Sequence, residues 1–200
     1  MKKIMFNDEF GLTQAVLEGR KTMTRRIIKF DKLGEYNFDN ALKHEWGKKS
    51  IQAFIENYAR YKVGEVVAVA QSYKDSGYSP DSLDRHPKDL SVRGLMKDSA
   101  GWNNKMFVKS YACKHHIKIT NVKIERLQDI SDEYCMKEGI IHAYTNNDGI
   151  KIYHTPHTKR GYLSTDVAQQ AFAFLIDKVS GKGTWESNPF VFAYEFVLVD

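Results

Sequence analysis

A chain of 200 residues with 42% hydrophobic content can bury one sizeable core, and its length sits at the upper end for a compact domain. Its 30 basic and 25 acidic residues leave a net charge of +5 and a pI near 9.0, which suits a polyanionic partner without demanding one. Cys113 and Cys135 are the two cysteines, with no Cys-x-x-Cys spacing, so a disulfide framework and a thiolate metal site are excluded and a reducing, cytoplasmic setting is expected. Asn7, Asp8 and Glu9 interrupt the basic start before an apolar signal core forms, and no later run is long enough to span a bilayer.

In chain order, Lys3 to Phe6 predicts a short strand, and Asn7 or Asp8 caps a helix whose apolar side is Phe10, Leu12, Ala15, Val16 and Leu17. Gly19 stops that helix. Extended residues from Thr22 onward put Thr22, Thr24 and Arg26 on one face and Met23 and Arg25 on the other, with Lys21 at the mouth of the strand. Such a group of ammonium, hydroxyl and guanidinium can bind an anion or polarise an amide carbonyl, and it is also the pattern of a solvated strand edge. Residues 31 to 49 show no period and predict a long loop or insertion. Ile51, Phe54, Ile55 and Tyr58 restore helical spacing.

Val66 to Ala70 is short, β-branched and uninterrupted, the mark of a buried strand. Residues 72 to 104 predict a surface excursion, followed by a strand over Lys105 to Val108. His116 to Leu127 alternates with a two-residue period that slips at Asn121. Ser131 caps a short acidic-first helix that ends at Glu138-Gly139. A second polar excursion covers 142 to 160, with a turn at Asn146-Asn147-Asp148-Gly149. Ser164 or Thr165 caps a helix with an Ala168, Ala171, Phe172, Leu175, Val179 stripe, closed by Gly181. Asn188-Pro189 then opens an aromatic strand from Phe190 to Leu198. This order predicts an α+β protein with a largely antiparallel, curved sheet.

Among other candidates, Tyr73, Tyr78 and Trp102 interleave with Lys74, Arg85, Arg93 and Lys105, a composition that holds single-stranded nucleic acid and also occurs on plain surfaces. Gln71 and Ser72, leaving the buried strand, are placed to line a cleft. His142, His154, His157 and the pair His115-His116 lack cysteine or acidic partners at ligand spacing, so no metal or other cofactor is expected.

Gly19, Lys21, Thr24 and Arg26 complete the pattern Gly-x-Lys-x-x-Thr-x-Arg after the first helix, and with it the chain resembles the ASCH-domain family of the PUA-like superfamily. The likeness continues at Gly64-Glu65 before the buried strand, at Val122 to Ile130 with Glu138-Gly139-Ile140, and at Asn188-Pro189-Phe190. The Glu125-to-Ile130 run and the Asn-Pro-aromatic ending are similar to the longer, phage-associated branch. The resemblance implies a single domain over 1–200: a small curved antiparallel or mixed β-barrel with flanking helices, carrying insertions at about 31–60, 72–104 and 142–160.

It also implies a cleft for RNA or a modified nucleoside around Lys21, Thr24, Arg26 and Glu138, with Gly19, Arg20, Arg25, Ser72, Tyr73 and Lys105 as further contacts. One compact branch is similar to enzymes that deacetylate N4-acetylcytidine with a Lys, a Thr and a Glu. Lys21 and Thr24 match the first two within the signature, and Glu138 is the best match for the third. In that reading Thr24 attacks, Lys21 takes its proton and Glu138 serves as acid. A binding module, this amidohydrolase and a phage-like assembly protein are the three functions the sequence leaves open.

Overall fold

The structure, a computed structural model, describes residues 1–30, 32–44, 47–77, 103–158 and 161–199. The chain forms two compact units, Met1–Phe6 with Val66–Lys118 and Leu198–Asp200, and Asn7–Glu65 with Ile119–Val197.

The first unit is built on β3 (Val66–Val69), whose last three residues are fully buried. Strand β1 (Lys3–Ile4) runs parallel to it, pairing Lys3 with Ala68, and the start of β4 (His116–Arg126) pairs antiparallel on its other side. Tyr73, Val108, Ala112 and Cys113 pack on Ala68. Tyr73 opens the short helix α4 (Tyr73–Ser76), capped by the Ser72 hydroxyl, which accepts from the Asp75 amide at 3.1 Å. Residues Lys105 to Val108 form a bend where a strand was expected. The Lys3 ammonium gathers the carbonyls of Lys105, Met106 and Val108 at 3.0, 2.7 and 2.5 Å, so these acceptors are satisfied without a strand ladder.

In the second unit α1 (Leu12–Leu17) leads into β2 (Met23–Ile27), which pairs antiparallel with β8 (Phe190–Leu198) in the register Met23 to Glu195 through Ile27 to Val191. Strand order in the five-stranded mixed sheet is β1-β3-β4-β8-β2. The α+β class stands. Among the described residues this hydrogen-bonded order ends at β1 and β2 and does not close into the expected barrel, and a two-residue first strand offers little edge for closure. Within β4 the buried positions change phase, from Ile117 and Ile119 to Val122 and Ile124, with Thr120 and Asn121 both exposed between them.

Residues 32 to 43 are helical (α2, Lys32–Lys43), which corrects the loop expected over 31 to 49, and the helix expected from Ile51 is present and begins earlier (α3, Gly47–Tyr58). Phe38 of α2 meets Phe30, Phe54 and Phe190 at ring-centroid distances of 5.1, 4.9 and 5.4 Å, and Phe54 lies 6.0 Å from Phe192. Helical stability here comes from burying a few rings, while the Asn, Asp and Gly residues between them hide the period in sequence.

Helix α5 (Asp132–Lys137) follows β4 after a 3-10 turn at Leu127–Asp129. Residues 141 to 154 form a hairpin, β5 (Ile141–Thr145) with β6 (Lys151–His154), and β7 (Ser164–Thr165) completes a second antiparallel sheet of order β5-β6-β7. The Asn146 turn signal is correct: its side-chain oxygen accepts from the Asp148 and Ile150 amides at 3.0 and 2.9 Å. Its flanks were expected to be irregular because β5 is exposed along most of its length and shows no apolar alternation. Thr165 lies in β7, two residues before the cap of α6 (Ala168–Ser180), and still accepts from the Val167 amide at 3.3 Å. Helix α7 (Thr184–Ser187) then turns the chain into β8 through Asn188, whose φ is 41°.

Candidate functional site

The site begins where α1 ends. Gly19, at φ 72°, turns the chain so that the Lys21 amide donates to the Ala15 carbonyl and the Thr22 amide to the Lys137 carbonyl, both at 2.9 Å. The mouth of β2 is thereby joined to the last turn of α5. That helix starts at Ser131, whose hydroxyl accepts from the Tyr134 amide at 3.3 Å, and carries Asp132 and Glu133 in its first turn. It ends at Glu138, where Lys21 serves as a side-chain cap: the ammonium donates to the Glu138 carbonyl at 2.8 Å and to its carboxylate at 2.6 Å. Gly139 permits the exit, since at φ 108° a Cβ there would stand 3.1 Å from Leu12 Cδ2 and 3.9 Å from the Lys21 stem.

Arg25, two residues into the buried face of β2, extends the pair into a network. Its Nη1 donates to the second oxygen of Glu138 at 2.9 Å, and its Nε donates to Glu125 at 3.0 Å, with Nη2 reaching the same Glu125 oxygen. Lys123 holds the other Glu125 oxygen at 2.7 Å. The Tyr134 ring lies 4.1 Å from the Lys123 ammonium and 5.8 Å from the Arg25 guanidinium, which is also 5.8 Å from Phe172 of α6. Lys21 is 2% exposed and Glu138 4%. Burial is the largest influence on both: it lowers the Lys21 pKa below its ordinary value, against the pull of Glu138. Burial alone would raise Glu138, but the charges of Lys21 and Arg25 and their hydrogen bonds outweigh it and hold the carboxyl below its usual value. At neutral pH the site is therefore an ion network with a carboxylate at its centre.

The structure brings together Lys21, Glu138 and Arg25. Thr24 is buried at 5% exposure in register with Tyr194, and strand alternation puts it on the opposite face of β2 from Arg25. Arg26 shares that second face, close enough to Tyr61 and Tyr194 to act on both electrostatically, and its charge also bears on Lys21, more than that of Arg25 does. Gly19 and Arg20 border the site at the surface, where Arg20 pairs with Glu18. Ser72, Tyr73 and Lys105 belong to the other unit, as a helix cap, a core residue and a donor to the Phe6 carbonyl. Tyr78, Arg85, Arg93 and Trp102 lie outside the described residues.

Glu125, Lys123 and Tyr134 were not among the sequence candidates. Their signal was present in part: Lys123 and Glu125 are the polar positions of the alternating β4 segment that precedes Leu127. Beside the network a surface groove of about 440 Å³ is lined by Gly19, Arg20, Thr22, Glu133, Lys137 and His142 among others, and Arg20, Thr22 and Lys137 adjoin Lys21 and Glu138 in the chain. His157 stacks on Tyr162 with His154 tilted against both, and among the described residues no cluster of His, Cys, Asp and Glu is arranged to hold a metal ion. Chemically, an ammonium and a carboxylate 2.6 Å apart form a donor and an acceptor that match the polar edge of an amide or a nucleobase.

No protein-family model matches the chain, and no curated protein matches it. Among solved structures it is similar to protein EF3133 from Enterococcus faecalis V583, described by the family model DUF984. The identity is 12% and the TM-score 0.44, over 100% of this chain and 81% of that one. A likeness at that level transfers neither fold class nor activity.

Proposed function

We propose that this chain is a binding module for a nucleobase, free or within RNA, and that Lys21, Glu138 and Arg25 are its polar recognition set. One observation carries the reading: the buried ion network of Lys21, Glu138, Arg25 and Glu125, whose chain neighbours Arg20, Thr22 and Lys137 line a surface groove. Desolvating four charges is a poor route to stability, because apolar residues of similar volume do as well or better, whereas charge clusters of this kind concentrate at ligand sites. The signature Gly19, Lys21, Thr24, Arg26 and its resemblance to the ASCH family support the same reading and a PUA-like origin for the sheet. A base edge enters from the groove between Gly19 and Lys137, accepts from the Lys21 ammonium through a ring carbonyl, and donates to Glu138 through an exocyclic amine. Arg25 keeps Glu138 ionised and aimed.

Calorimetric titration with cytidine, N4-acetylcytidine and a short oligoribonucleotide tests this. Binding to at least one of them, weakened tenfold or more in Glu138→Gln and Lys21→Met with folding intact, is the expected result. Equal affinity in both variants would overturn it.

The amidohydrolase reading has one point in its favour: burial shifts the Lys21 pKa downward, toward the unprotonated amine that a general base must be. Against it stands Thr24, directed to the other face of β2. Following the ultraviolet conversion of N4-acetylcytidine to cytidine separates the two: turnover lost in both Lys21→Ala and Thr24→Ala supports hydrolysis, and binding without turnover supports the module.

A further inference from the structure

The groove beside the network does not end at the buried pair. Its wall includes Ile141 and His142, the first residues of β5, and these pair across the hairpin with His154 and Tyr153 of β6. His154 belongs to a cluster of three rings. Its centroid lies 4.7 Å from that of Tyr162 and 5.8 Å from that of His157, tilted to both, while Tyr162 and His157 stack at 4.0 Å with only 20° between the planes. The stacked pair is open to solvent, with Tyr162 49% exposed and His157 also exposed. Two rings stacked face to face at the surface of a small antiparallel sheet bury little.

We propose that the groove and this ring cluster together form a track for single-stranded nucleic acid, with phosphates at Arg20 and Lys137 and a base stacked on the Tyr162 and His157 pair. The inference rests on the nucleobase reading above and extends it from one base to a strand. Arg20 and Lys137 line the groove, each held by an acid of its own neighbourhood, Glu18 and Glu133. Both are solvent-exposed pairs, weak enough for a phosphate to replace the carboxylate. Stacking on a flat ring face accepts any base, so this end of the track supplies affinity without sequence choice, while the Lys21 and Glu138 pair would choose the base. A duplex offers no free base face to these rings, which makes the surface selective for single strands.

Fluorescence anisotropy with a labelled oligouridylate tests the track, with an oligothymidylate and a duplex of equal length as further arms. Tyr162→Ala should weaken single-strand binding about tenfold, the usual cost of one lost stacking partner, while Tyr162→Phe retains it. Arg20→Ala and Lys137→Ala should each flatten the salt dependence of binding by about one phosphate contact. The proposal is overturned when Tyr162→Ala and His157→Ala both bind within twofold of the parent protein, or when the duplex binds as tightly as the single strand. Loss of free cytidine binding in Lys21→Met, alongside unchanged oligonucleotide binding in the ring variants, would sink the track alone. Weakened oligonucleotide binding in the ring variants of a protein that never binds free cytidine would keep the track and sink the base pocket.

Discussion

The two faces of β2 solve opposite problems with alternate residues of one short strand. On one face Arg25 reaches Glu125 and Glu138 and passes between the rings of Tyr134 and Phe172. On the other, Thr24 lies in register with Tyr194, whose ring is 5.3 Å from Tyr61 and whose hydroxyl accepts the Arg60 amide at 3.1 Å. Beyond Tyr194 the same face of β8 continues through Phe192 and Phe190 into the aromatic packing of α2 and α3. Hydrocarbon and rings hold the second face, and their contribution scales with area removed from water. The first face is held by ions whose desolvation offsets much of their attraction, so it tolerates little loss of a partner. A face made of rings degrades gradually under mutation. A face made of paired charges fails at once when one charge is removed.

That contrast can be broken or sharpened by experiment. The largest effect is expected from Glu138→Ala, which leaves Lys21 and Arg25 buried without their shared counter-ion, and denaturant unfolding should register a loss of about 3–5 kcal/mol. A loss under about 1 kcal/mol would mean that water or a rearranged Glu125 neutralises the site. Gly139→Ala should cost about 2 kcal/mol in the same measurement, because the residue is held at φ 108° and its new methyl meets Leu12. Acidification should weaken the network next. The folded-state pKa of Glu138 lies below its ordinary value of 4.5, so the stabilisation is complete above that value and is lost as pH falls through the lower, folded-state value. Unfolding free energy measured from pH 6 downward should decline more steeply for the parent protein than for Glu138→Gln, and parallel curves would refute the assignment.

On the aromatic face, Tyr194→Phe removes one acceptor from the Arg60 amide and should cost about 1 kcal/mol, read from the same unfolding curves. Thr24→Val keeps the side chain's outline but replaces a buried hydroxyl with a methyl, and it is expected to change stability least, by under about 1 kcal/mol. It also sharpens the functional contrast. Base binding should survive this substitution while failing in Lys21→Met, and a Thr24→Val protein that loses binding as fully as the lysine variant would show that the two faces act together.

Much of the scaffold was legible along the chain. The uninterrupted Val66 to Val69 strand, the alternation of β4, the Ser131 cap with its acidic first turn, and the Phe190 to Leu198 strand each carry a local pattern strong enough to specify an element. Helix α2 was not legible, since its decisive residue, Phe38, acquires meaning only from rings outside the helix, Phe30 and Phe54 on either side of it and Phe190 far along the chain. The hairpin of β5 and β6 was half legible: Asn146 announces the turn, but exposed strands carry no burial period.

For the candidate site, the sequence by itself supplied the cations of 19–26 and the helix exit at Glu138-Gly139, because both are local signals of composition and capping. It could not join them. Lys21 and Glu138 are separated by 117 positions, and nothing short of the β2 register and the end of α5 decides that they meet at 2.6 Å. Nor could it choose between Arg25 and Arg26, or between Thr24 and Arg25, since alternation assigns residues to two faces without saying what each face will meet. Tertiary structure made that choice by setting α5 and α6 over one side of β2 and the rings of β8 along the other. Charges cannot be buried without partners, and the partners came from distant parts of the chain.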